Sequence, residues 1–184
     1  VGLLGLAIIV GLFLPSVPGL GQRQAAEGTR SGQGPGTEIT DQGRTHFGVG
    51  EVAAAGYYAS LPATSGTHAL IWAECGIFSS SLPDEVQVHN LEHGFVMVQY
   101  NTQDQAVIDA LKVVVQGLPR FPDYLIMAPY PAMTETIALT AWGRVQYLET
   151  VDEGAIKAFA EAYRNRGPER AAGCASGGFT DATR

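Results

Sequence analysis

The sequence predicts an α+β domain, an antiparallel or mixed sheet with two helices on one face in a ferredoxin-like arrangement. Two segments, 102–119 and 150–168, carry apolar residues at helical spacing between start and stop signals. Runs rich in β-formers stand before and between them, so the order reads strand, helix, strand, strand, helix. No internal repeat interrupts that order.

Residues 1–14, VGLLGLAIIVGLFL, are apolar or glycine throughout, and Pro15 and Pro18 stop the run. Fourteen helical residues rise about 21 Å, short of the roughly 30 Å of bilayer hydrocarbon. The chain opens on Val rather than Met, so more of this segment is expected upstream. The sequence SVPGLG that follows is a poor small-x-small cleavage site. Residues 1–20 are therefore read as a retained single-pass transmembrane helix that anchors the chain in the cell membrane. Residues 21–45 are glycine-rich and small-polar without periodicity, and read as a flexible linker. The α+β domain is expected over 46–184, on the extracytoplasmic (periplasmic) side.

Within the domain, strands are expected at 94–100 (GFVMVQY), 125–130 and 137–143 (IALTAWG), with 86–89 as a fourth. The first helix opens on a capping-box spacing, Thr102 and Gln105. Val107, Ile108, Leu111, Val114 and Val115 then share one face, and Gly117 and Pro119 end it. The second opens on Thr150 and Glu153, carries Ile156, Phe159, Ala160 and Tyr163, and stops at Gly167 and Pro168.

An apolar fraction of 46% supports a real core, and a net charge of -7 without a basic stripe excludes a nucleic-acid footprint. The arginines are scattered, which excludes a polybasic lipid patch. The two cysteines, Cys75 and Cys174, lack C-x-x-C spacing. Outside the cytoplasm they would form a disulfide, whereas two unrelated buried thiols are the alternative.

All four histidines, His46, His68, His89 and His93, fall within 48 consecutive positions, outside both expected helices and in turn-like contexts. Neutral imidazole is the commonest transition-metal side-chain ligand, so the cluster reads as a metal site of His68, His89, His93 and His46. Backbone-bonded histidines that fix loops are the alternative. Imidazole-rich sets suit a copper or zinc ion as cofactor, and Met97 and Met127 would be soft ligands for Cu(I) unless they pack in the core. Glu92 is expected to orient a histidine N–H from outside the ligand set.

His89-Asn90-Leu91-Glu92-His93 also fits H-x-x-E-H, the inverted zinc-peptidase motif, with Glu92 as general base. That motif needs a long helix, and Gly94 interrupts one directly afterwards. No nucleophile elbow, phosphate loop or dinucleotide fingerprint is present. Metal storage, delivery or sensing therefore fits better than enzymatic turnover. A structural accessory subunit of a respiratory or photosynthetic membrane complex, with a protein partner, is the second reading.

LPATSGTH at 61–68, WAECGIF at 72–78, VHNLEHGFVMVQYN at 88–101 and IALTAWG at 137–143 together resemble domain of unknown function family 3105. The resemblance covers roughly residues 44–170. It departs at Ala63 and Thr67, where the family pattern carries prolines, and keeps His68. It implies an N-terminal membrane helix, a linker and a domain in which His68, His89, Glu92 and His93 are of interest, and it implies no activity.

Overall fold

The computed structural model describes residues 34–170, 173–174 and 178–179. The expected anchor over 1–20 lies outside the described residues, and among those no helix is long and apolar enough to cross a membrane. The elements in chain order are β1 Thr37–Glu38, β2 Gly76–Ile77, α1 Asp84–Glu92, β3 Val96–Tyr100, α2 Gln105–Gln116, β4 Leu125–Pro129, β5 Ile137–Ala141, β6 Arg144–Leu148 and α3 Glu153–Tyr163.

The strands form one mixed sheet of six in the order β1-β6-β5-β3-β4-β2. β4 is parallel to both β3 and β2, while β5 and β6 extend the sheet antiparallel. Successive residues of a strand point to opposite faces, and that alternation sorts the core into two layers. Val96, Val98, Leu125, Met127, Ile137 and Leu139 face α2 and α3. Met97, Ile126 and Ala128 face the other way, towards Val86 and Leu91 of α1.

The mixed α+β class and the two helices on one face are present. The ferredoxin-like connection is not: β3 and β4, joined by α2, are immediate parallel neighbours with no strand between them. α1 covers the opposite face. It spans the 86–89 segment expected as a strand. Val86-Gln87-Val88-His89 alternates apolar and polar residues, which imitates a strand. Every residue from Val86 to Glu92 is buried, however, so this helix has no polar face to reveal its period. Its start was signalled by Pro83 followed by Asp84 and Glu85, acids that favour a first helical turn. Gly94 ends it in the left-handed region at φ 83°. A Cβ there would stand 2.7 Å from Gly167 N, because residues 165–167 pass directly over this turn.

Helix starts also differ in detail. Asp104 and Asp152 are the N-caps of α2 and α3, accepting from Ala106 N–H and Ala155 N–H at 2.9 Å each. A carboxylate adds charge at the positive helix end, which Thr102 and Thr150 cannot do. β6 follows β5 through a two-residue turn, Trp142-Gly143, with Gly143 at φ 65°. Residues 34–45, expected as linker, lie against the domain. β1 pairs with β6, Ile39 N–H donates to Gly143 O at 3.0 Å, and Tyr163 O–H donates to Pro35 O at 2.7 Å. Two-residue strands are too short to show a period in sequence.

α1 is held by its polar side chains as much as by its valines. Asn90 accepts from Ala73 N–H at 2.9 Å and donates to Ala73 O at 2.8 Å, imitating a strand partner for that residue. Gln87 donates to Leu82 O at 2.8 Å and accepts from Gln99, which in turn accepts from Thr140. Cys75 and Cys174 form a disulfide, and Phe179 pairs with Ala73 as an isolated bridge. Asn90→Ala leaves the fully buried Ala73 amide and carbonyl unpaired, and should cost about 2–4 kcal/mol of stability, read from urea denaturation.

Candidate metal centre

Three segments bring the candidate ligands together. α1 supplies His89 and Glu92, three residues apart and so on one helix face. The segment after the Gly66 turn supplies His68, and the segment alongside it supplies His46. Those two run in parallel as an isolated bridge, with Phe47 N–H donating to His68 O at 2.8 Å and His68 N–H to Thr45 O at 3.0 Å. Bridge partners project to the same side, which sets the His46 and His68 rings 4.5 Å apart. The His89 ring lies 5.1 Å from His46 and 4.9 Å from His68.

One ligand atom from each of His46, His68, His89 and Glu92 lies within 4.8 Å of all the others, so this group could hold a metal ion. His68 and Glu92 are 0% and 2% exposed, His89 is buried, and His46 is exposed on the solvent side. The two buried imidazoles share one arrangement. His68 Nδ1–H donates to Gly66 O at 2.8 Å, and His89 Nδ1–H donates to Ala69 O at 2.6 Å. A carbonyl oxygen only accepts, so Nδ1 carries the proton and the Nε2 of the neutral ring presents its lone pair. Metal-binding histidines use backbone carbonyls in this way to fix tautomer and ring angle.

His68 Nε2 meets Glu92 Oε2 at 3.0 Å. A lone pair and a carboxylate repel each other, so one positive charge, a proton or a metal ion, has to lie between them. Burial lowers the pKa of His89 to about 4, opposed by its bond to Ala69 O and reinforced by His93, His68 and His46. His89 is thus neutral and ligand-ready across the physiological range.

Of the expected ligands, His46, His68 and His89 converge and His93 does not join them. Glu92, expected outside the ligand set, stands among the converging groups. The helix explains both changes. His93 is the C-cap, where α1 ends and the next residue turns away, while Glu92 is still on the turn that faces His68. Met97 and Met127 are fully buried on opposite faces of the sheet and serve as core. His93 packs at 4.6 Å from the His89 ring, and Trp72 lies edge-on at 5.0 Å from His93.

This protein belongs to the family described as Protein of unknown function (DUF3105). The family model matches residues 52–176. That span contains His68, His89, Glu92, His93 and both cysteines, while His46 and β1 precede it. No curated protein and no solved structure matches the chain. For this DUF3105 member, chemistry has to be argued from the site.

The lowered pKa of His89 links the site to stability. Its ring binds a proton near pH 6.5 when unfolded and only near pH 4 when folded. The unfolded chain therefore holds more protons between those values, and stability present above pH 6.5 is lost as pH falls towards 4. In metal-free protein the urea midpoint should fall more steeply from pH 6.5 to 4.5 in wild type than in His89→Gln.

Proposed function

We propose that this protein is an extracytoplasmic metal-binding protein, tethered to the cell membrane, in which His46, His68, His89 and Glu92 hold one zinc or copper ion. The convergence of these four groups carries the reading, because each buried histidine already commits its other nitrogen to a backbone carbonyl. Such an arrangement lowers the reorganisation needed on binding. Three imidazoles and one carboxylate suit Zn(II) or Cu(II), and the packing of Met97 and Met127 in the core speaks against a thioether site for Cu(I).

Location is supported by two features. The Cys75–Cys174 disulfide belongs to an oxidising compartment, and the apolar run 1–14 is suited to a membrane anchor. With His46 exposed and the other three groups buried, an ion can be exchanged from the solvent side without opening the core. Storage, delivery or sensing fits that access. The H-x-x-E-H peptidase mechanism fits less well, since it needs His89 and His93 as joint ligands and Glu92 held back as base. Here Glu92 contacts His68, and His93 stands apart from the group.

Calorimetric titration and metal analysis of chelator-stripped protein test the proposal. Wild type should take up one Zn(II) or Cu(II) per chain. The double variant His68→Ala, His89→Ala should retain none at equal protein concentration, and Glu92→Gln should bind more weakly. Free metal at about a hundred times Kd should stabilise wild type by about 2.7 kcal/mol and leave the double variant unmoved. Equal metal content in wild type and double variant would end this reading.

A further inference from the structure

His93 is the polar side chain that the site leaves over. It is 6% exposed, and neither ring nitrogen has a hydrogen-bond partner among the described residues. Buried polar atoms are nearly always partnered, so a buried imidazole with both nitrogens unpaired marks the place of a missing partner. The ring is fixed in position. Its backbone N–H donates to His89 O at 3.2 Å, the His89 ring lies 4.6 Å away and Trp72 closes over it at 5.0 Å.

His93 is therefore held beside a candidate ligand without being one of the group of four. An oxygen bound to the metal would be such a partner: it sits about 2 Å from the ion and accepts or donates a hydrogen bond over roughly 2.8 Å. The ligand set allows it, since zinc expands to five-coordination and Cu(II) favours tetragonal sites that admit further ligands. A neutral imidazole has one donor and one acceptor, so it can serve a bound water or a small anion.

We propose that the metal carries an exchangeable ligand in a fifth position, water or a small anion, and that His93 hydrogen-bonds to it beneath Trp72. This rests on the metal reading above and adds to it a binding place for small anionic ligands. The centre is then open rather than purely structural, with Glu92 and three histidines holding the ion and His93 selecting what the ion holds.

The test uses the full chain loaded with Cu(II), and azide as probe. Wild type, His93→Phe (ring packing kept, hydrogen bond lost) and His93→Gln (donor and acceptor kept) are compared. Each should bind one Cu(II) with the same three-nitrogen coupling in electron paramagnetic resonance. Azide affinity, read from its charge-transfer absorption, should fall about five- to tenfold in His93→Phe and return to within about twofold in His93→Gln. Wild type, measured by itself, should show an exchangeable proton coupling by ENDOR that azide removes, a result independent of how either variant folds. Equal azide affinity in wild type and His93→Phe, absence of the exchangeable proton, or a fourth nitrogen coupling lost with His93 would each overturn the inference. Failure of wild type to bind Cu(II) or Zn(II) at all would instead remove the metal reading on which it stands.

Discussion

A helix that is buried on every side and carries four polar side chains can exist only if each of those side chains finds a partner in the protein. That constraint governs this domain. α1 places Gln87, His89, Asn90 and Glu92 inside. Their partners come from four separate segments: Leu82, Gln99, Ala73, and the adjacent pair His68 and Ala69. An unpaired buried polar group would cost about 1–3 kcal/mol, so losing several would exceed what the valines of α1 return. The hydrogen bonds that let the helix be buried are the same bonds that orient the candidate ligands.

The segments that answer α1 have almost no regular structure of their own, yet they are not loose. Ser65 accepts from Gln42 N–H at 3.1 Å, Gln42 donates to Tyr57 O at 2.9 Å, and Tyr58 O–H donates to Thr67 O at 2.8 Å. Thr64, Ser65 and His68 are buried within this network. Trp142 Nε1–H, reaching from the β5–β6 turn, donates to Asp41 at 3.2 Å and faces the His68 ring edge-on. Side chains thus bond to backbone in place of a β-ladder, and the disulfide at Cys75 closes the far end. Ligands on such braced segments start close to their bound geometry, which is the condition for selectivity by shape rather than by affinity alone.

Burial divides the site into layers. His46 faces solvent, His68, His89 and Glu92 lie beneath it, and His93 with Trp72 lies beside His89. A net charge of -7 favours cations near the molecule, and the lowered pKa of His89 means that protons compete little with an ion for its nitrogen. Access at one side and a closed interior at the other is an arrangement that permits exchange without exposing the core.

Much of the fold was legible in the sequence because the signal was local. α2 and α3 each bury one stripe, so Leu111, Val115, Ile156 and Phe159 stand at helical spacing. β3, β4 and β5 are short apolar runs, and the four histidines are conspicuous in any listing of the chain. α1, β1, β2 and β6 were not read from the sequence: the first has no polar face, β1 and β2 are strands only because β6 and β4 run beside them, and β6 fully buries only Val145. The composition of the candidate metal group was legible only in part, for the same reason. Which of Glu92 and His93 meets His68 depends on where a nine-residue helix ends and how it lies on the sheet. Residue type determined that imidazoles and a carboxylate were available. Long-range packing, which brings together segments 24 residues apart in the case of His68 and Glu92, decided which of them share a site, because no local period records a contact made across the fold.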